Sequence, residues 1–294
     1  MNKALRSPWT YGLFMLPVLV LYALFSIYPM IAAFLKGFTE WNGIEAAQYN
    51  GLKNFKDALT DVKLWDSVKN NGYFILFSVF IQVPIIIVLS LMISNVKKLK
   101  GFYKTAVFVP AVMSTAVIGI LWSFIYEPDI GLFNLILTKL GLQPVMWLSE
   151  SKWAMFSILI TNAWQWMGFY VVMVLAAILA IPKEINEAAI VDGASNFKRA
   201  IRITVPLIMP IISVVIMLSI AGAMKAADIV IVMTKGGPGG ATDVMATYMI
   251  KYGITNFNYG YGNAIAVLIF VFTLILTALY QLLVVRRMER VEYS

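Results

Sequence analysis

Neither cysteine nor histidine occurs anywhere in the 294 residues. Without them there is no disulfide, no thiolate or imidazole metal ligand, no thiol nucleophile and no imidazole acid or base, so most familiar catalytic constellations are excluded. Charge is scarce too. Asp, Glu, Lys and Arg together make up 13% of the chain, against about 25% in ordinary soluble domains. Apolar residues take their place: they reach 61%, and mean hydropathy is +0.81. By length alone the chain would accommodate two soluble domains, but this composition belongs to a membrane protein.

Asp, Glu, Lys and Arg are also missing locally. Six stretches hold none: Ser7 to Leu35, Asn70 to Val96, Thr105 to Tyr126, Trp153 to Pro182, Ile203 to Met224 and Tyr252 to Val285, with lengths of 29, 27, 22, 30, 22 and 34 residues. About 20 residues cross the hydrocarbon as a helix, so each stretch spans once. In lipid every backbone amide must pair within its own segment. The expectation is therefore an all-α integral membrane protein of six transmembrane helices in a single domain over 1–294. Its spans run over approximately 11–35, 72–95, 105–126, 154–180, 203–224 and 262–285. The first stretch follows Lys3 and Arg6 as a signal peptide would, but it far exceeds the roughly 7–15 apolar residues of one and is read as a retained span. Pro84 predicts a kink in the second span. Trp9, Trp41, Trp147 and Trp153 fall near span ends, where indoles anchor in head groups.

The basic residues orient the bundle. With the N-terminus inside, the inner segments hold 13 basic residues against five acidic ones, and the outer loops hold 10 of each. The whole net charge of +8 then lies inside, with both termini cytoplasmic. This charge is spread over four short segments with no basic stripe, which argues against nucleic acid as a partner. The spans carry no acid or base to bind a driving ion. A transporter so built draws its energy from a partner or is a passive channel; an ion-coupled carrier would need a sodium site made of carbonyls and hydroxyls.

The segment between spans four and five, over 182–202, carries most of the information. Pro182 suits the first turn of a helix, and Glu184 and Glu187 complement its positive end. Gly193 after Asp192 reads as a turn or C-cap, and a second helix from Ser195, its N-cap, runs to Ile203 with Lys198, Arg199 and Arg202 toward the far end. On physics alone this helix, glycine break and helix is either a docking element or an amphipathic hairpin resting on lipid head groups. Its pattern says more: Glu187-Ala188-Ala189, three residues, Gly193, nine residues, Ile203, one residue, Val205-Pro206. This closely resembles the EAA motif of permease subunits of ABC importers, with Val205 where that family has leucine. Phe14 to Trp41, Phe108 to Tyr126, Asn162 to Pro182 and Asp228 to Thr242 are similar to segments of binding-protein-dependent carbohydrate permeases of the maltose and glycerol-phosphate type. The glycine cluster Gly236 to Gly240 lacks the trailing Gly-Lys-Ser/Thr of a phosphate loop and is read as an outer turn.

The resemblance implies the type I ABC importer permease fold in a bacterial or archaeal plasma membrane. It implies a second homologous permease, two cytoplasmic ATPases, an external solute-binding protein, a sugar substrate and surrounding lipid. ATP and Mg would sit on the ATPases, and this chain would bind no cofactor or metal and perform no covalent chemistry. Glu184, Glu187, Ala188, Ala189, Asp192 and Gly193 would form the coupling surface.

For the substrate path, a rise of 1.5 Å per residue puts Thr115 about 15 Å from the inner start of span three and Trp164 about 16 Å from the outer start of span four, both near the midplane. Asn162, Gln165 and Ser219 add amides and a hydroxyl, and an indole face suits a sugar ring. Ser114, Thr115 and Ser219 equally well bond to their own preceding turn or to a neighbouring helix. The resemblance points to Ala111, Thr115, Trp164, Met167, Gly168, Ser219, Ala223 and Ala226. Lys225 either pairs with Asp228 three residues on or meets an anionic sugar or phosphate. That leaves permeases for glycerol-phosphate or another anionic sugar derivative open.

Overall fold

The structure is a computed structural model that describes residues 8–285. In chain order its helices are α1 (Tyr11–Lys36), α2 (Lys53–Thr60), α3 (Val62–Asn95), α4 (Lys100–Val112), α5 (Thr115–Ile125), α6 (Leu132–Lys139), α7 (Ser151–Ala180), α8 (Lys183–Val191), α9 (Asn196–Leu207), α10 (Met209–Met224), α11 (Ala227–Met233), α12 (Met245–Tyr248) and α13 (Tyr259–Leu283). Among the described residues α1, α3, α7 and α13 are each long and apolar enough to cross a membrane, and the count reaches six if each of two bent pairs is one span.

Those two pairs depart from the continuous third and fifth spans expected above. Between α4 and α5 the chain turns through 99°, and between α9 and α10 through 68°. Prolines account for much of this. Pro110 stands near the end of α4, where its ring opposes the carbonyl one turn back and its missing N–H removes a bond; Met113 is then extended at φ −75°, ψ 148°. In the second pair Pro206 and Pro210 flank the break at Ile208, four residues apart.

Pro84 produces no sharp break, because a single wide turn over Ser78–Gln82 precedes it within the continuous helix α3. The amide of Val83 there bonds to the Ser78 carbonyl, five residues back. The same arrangement precedes Pro29, where Tyr28 bonds to Ala23, and Pro206, where Val205 bonds to Ala200. Each wide turn ends two residues before a proline, shifting the helix where the ring needs room.

The described residues form two compact units, 8–61 with 249–270 and 62–248 with 271–285. In the first, a two-stranded antiparallel hairpin pairs Thr39–Glu40 with Gln48–Tyr49. Asn54 ties it down by donating to the carbonyls of Gly37 and Thr39, both at 2.9 Å. Gly260 lies so close to this hairpin that a Cβ there would sit 2.0 Å from the Thr39 carbonyl oxygen. The apolar stretch of α1 has no buried residue.

The second unit holds two apolar clusters, both crossed by α3 and α7. One gathers Phe74, Ile118, Trp122, Tyr126, Ile158 and Val230, the other Val83, Ile86, Val171, Val174, Ile208 and Val215. Lipid is as apolar as these side chains, so close packing rather than escape from water holds such helices together. Gly168 shows how tight it is: a Cβ there would lie 1.8 Å from the Val107 carbonyl oxygen, so α4 rests directly on the α7 backbone. Trp147, expected as a lipid anchor, is instead bound inward. Its indole donates to Asn134 Oδ1 at 2.9 Å, and its ring packs against Tyr126 and Phe133.

Candidate functional site

The second unit holds a half-open cavity of about 220 Å³ between α3, α5, α7, α10 and α11. Its polar wall comes from Ser78, Gln82, Thr115, Asn162, Ser219, Lys225 and Asp228, and its aromatic wall from Trp166 and Tyr170. The break between α4 and α5 matters here because it puts Thr115 at the start of α5, on the cavity wall.

Helix register decides which α7 side chains reach the space. Asn162, Trp166 and Tyr170 are spaced by four and form one stripe, and all three line the cavity. Trp164 lies on a different face, with its ring 5.4 Å from that of Trp122. Gln165 is buried and bonds toward the bend: Nε2 donates to Thr115 Oγ1 at 3.1 Å and to the Met113 carbonyl at 3.3 Å. Of the substrate-path residues named from the sequence, Thr115, Asn162, Ser219, Ala223, Lys225 and Ala226 line the cavity. Ala111, Ser114, Trp164, Gln165, Met167 and Gly168 do not. Met167 packs beside the second apolar cluster, and Gly168 is taken up by the contact with α4.

Sequence reasoning missed Ser78 and Gln82 on α3 and Trp166 and Tyr170 on α7. Signals for both were present. Ser78 and Gln82 are an i, i+4 polar pair in an otherwise apolar stretch just before a proline, and Asn162, Trp166 and Tyr170 follow one another at the same spacing of four on α7. Gln82 is anchored by donation from Nε2 to the Ala163 carbonyl at 3.1 Å. Lys225 and Asp228 both line the cavity, and no ion pair joins them.

The segment between α7 and α10 is a helix, a glycine reversal and a helix. Pro182 sits one residue ahead of α8, at φ −53° and ψ 137°, rather than in its first turn, and Glu184 lies in that turn. The C-terminus closes with Ala194 N bonded to Ala189 O at 2.9 Å and Gly193 N to Ile190 O at 3.0 Å. Gly193 holds φ +73°, a left-handed conformation that favours glycine. Ser195 Oγ then accepts from the Lys198 amide at 3.3 Å and caps α9. Glu184, Glu187, Ala188, Asp192 and Gly193 are exposed. Ala189 is not: it is buried against its own chain, since neighbours on a helix point about 100° apart. Of the two alanines only Ala188 offers outer surface, and Val191 beside it is 87% exposed.

Residues 65–290 match the family described as the binding-protein-dependent transport system inner membrane component. The chain is 33% identical over 241 residues to the trehalose/maltose transport system permease protein of Thermococcus litoralis, covering 82% of each chain. It is 31% identical over 274 residues to a probable ABC transporter permease protein of Pyrococcus horikoshii, covering 91% of this chain and 94% of the relative. Among solved structures, a chain of a bacterial alginate ABC transporter in complex with an alginate pentasaccharide-bound periplasmic protein superposes with a TM-score of 0.85 at 25% identity, over 97% of both chains. A family match over more than three-quarters of the chain, with the EAA pattern folded as an exposed helix, a glycine reversal and a second helix, means that the protein belongs to the membrane-embedded permease subunits of binding-protein-dependent ABC transporters.

Proposed function

We propose that this chain is the translocating subunit of an ATP-driven importer for a neutral sugar or oligosaccharide. It crosses the membrane six times, each bent pair counting as one span, with both termini cytoplasmic. It works with a second permease, two ATPases and an external solute-binding protein, and the ATPases carry out all hydrolysis. The observation that carries this reading is α8. An exposed, acid-bearing helix closed by a left-handed glycine is a rigid lever tip, and a channel has no use for one. ATP-driven closure of the ATPases would draw two such tips together and favour the outward-facing state, a population shift driven by differential binding. Sugar fits the cavity wall, where amides and hydroxyls stand beside the Trp166 and Tyr170 rings, and the named transport system of Thermococcus litoralis carries trehalose and maltose.

Affinity purification of the tagged chain from its native membrane tests this. The ATPase and a second permease are expected to co-purify. Glu187→Arg is expected to release the ATPase, and Gly193→Trp to cut ATP-dependent uptake at least tenfold. Recovery of the chain alone, under conditions that preserve other complexes, would move the passive channel or ion-coupled carrier to first place. A second reading is favoured by Lys225, which lines the cavity without pairing with Asp228: the substrate is an anionic sugar derivative. In that case Lys225→Met abolishes uptake of a uronic or phosphorylated sugar. If the substrate is neutral, the same change leaves uptake within a factor of about two.

A further inference from the structure

Two amides beside the cavity have their orientation forced by main-chain carbonyls. A carbonyl oxygen only accepts, so the Gln82 amide must turn its nitrogen to Ala163 O, and its Oε1 is left for the cavity that Gln82 lines. Gln165 must likewise turn its nitrogen to Met113 O, and the same Nε2 donates to Thr115 Oγ1. A hydroxyl that accepts one bond keeps its own hydrogen to give. Thr115 opens α5 directly after a 99° bend, so no continuous preceding turn offers it a carbonyl. Among the described residues its hydroxyl donates to no protein group, and Gln82 Oε1 accepts from none.

We propose that the cavity reads its substrate by a fixed hydrogen-bond polarity, in which Gln82 is a specificity residue presenting an acceptor, Thr115 presents a donor, and Gln165 is the positioning residue that sets the Thr115 hydroxyl. This rests on the sugar-importer reading and deepens it. A sugar hydroxyl both gives and takes a hydrogen bond, so neighbouring hydroxyls on one ring satisfy a fixed acceptor and a fixed donor together. A ligand offering only acceptors, such as a phosphate or sulfate ester group, leaves Gln82 Oε1 unpaired and is disfavoured at that position. The wide turn at Ser78–Gln82 adds a reason for its own presence, since it sets the side of α3 from which Gln82 reaches the cavity.

The test uses the complete complex, purified through this chain and reconstituted in vesicles with its solute-binding protein, with trehalose and maltose as probes. The binding protein sets the concentration at which uptake saturates, so the effect falls on the maximal rate. Thr115→Val and Gln82→Leu are each expected to lower that rate roughly fivefold to tenfold, the loss of one hydrogen bond, with little change in half-saturation. Thr115→Ser, which keeps the hydroxyl, restores it to within a factor of about two. The readout specific to positioning is the double variant: Gln165→Leu lowers the rate by a clearly smaller factor in a Thr115→Val background than in the wild type, because part of its effect runs through that hydroxyl. Effects that multiply, or Thr115→Val and Gln82→Leu at the wild-type rate, overturn the proposal. Gln82→Met serves in place of Gln82→Leu should the latter fail to assemble, as judged by size-exclusion chromatography of the complex. A wild-type complex that moves no sugar, from trehalose and maltose through a panel of neutral and anionic mono- and oligosaccharides, refutes the sugar reading and this inference with it; sugar uptake with indifferent variants refutes this inference alone.

Discussion

The two bent helix pairs are broken by different means. Between α9 and α10 the bend is local: Pro206 and Pro210 bracket Ile208, and the bonds across the bend join residues near in sequence, Ile208 N with Thr204 O and both Ile211 N and Ile212 N with Ile208 O. Between α4 and α5 the bend leans on another helix. Gln165 of α7 takes up the Met113 carbonyl and holds Thr115, while Gly168, one turn along α7, lets α4 lie flush against it. The first break is next to the EAA segment and the second next to the cavity. A locally specified bend keeps its shape while neighbours move, which suits a lever. A bend held by a tertiary contact keeps its shape only in that packing, which suits a wall that changes with the transport state.

Substitutions sharpen this contrast, beginning with the most severe. Gly168→Val drives a side chain into the Val107 carbonyl, and is expected to cost more than about 3 kcal/mol and to show as loss of folded protein in detergent. Gln165→Leu leaves Met113 O unpaired at a buried bend, at a cost of about 1–2 kcal/mol, read as a lower melting temperature of the purified complex. Ser195→Ala removes the cap of α9, worth about 0.5–1 kcal/mol at an exposed site, and is read by faster amide exchange at Lys198 with no change in overall melting. Pro210→Ala changes stability least, because it returns a donor without removing a contact. Its effect is on shape. The chain has no cysteine, so labels at Phe197→Cys and Val214→Cys are unique, and both sites are exposed. Their separation should change when Pro206 and Pro210 are both replaced by alanine and stay constant in Gln165→Leu. A pair at Phe102→Cys and Ile120→Cys should respond in the opposite way. If both label pairs moved together in either variant, the two bends would share one cause.

The pattern of success across the chain follows from where the information is stored. Helical character, the apolar stretches and the segment over 182–202 were legible because each depends on residues within a turn or two of one another. Gly193 at φ +73° and the Ser195 cap are local events, read from neighbours in sequence. The bends are half legible: Pro110, Pro206 and Pro210 stand in the sequence, yet each uncharged stretch of 22 residues reads as one span. From the sequence Pro84 reads as a kink, and it sits instead after a wide turn that absorbs it. On α7 the residues named from the sequence fall on more than one face, Asn162 on the cavity stripe and Trp164 off it. Trp164 and Trp166 are equivalent by residue type, and only the packing of Trp122 against the first leaves the second facing the cavity.

What the amino-acid order determined by itself is therefore the membrane class, the helices, the EAA helix with its glycine reversal, and the absence of thiol and imidazole chemistry. These rest on transfer of side chains into lipid and on hydrogen bonds between residues near in sequence, which need no partner to be specified. The tertiary structure alone decided that Gln82, more than 30 residues before Thr115, shares a wall with it, that Ala189 turns inward while Ala188 turns out, and that Gly168 serves a helix contact. Those outcomes depend on which face of each helix meets another. In a bundle whose side chains are apolar nearly all round, no amphipathic stripe announces that face.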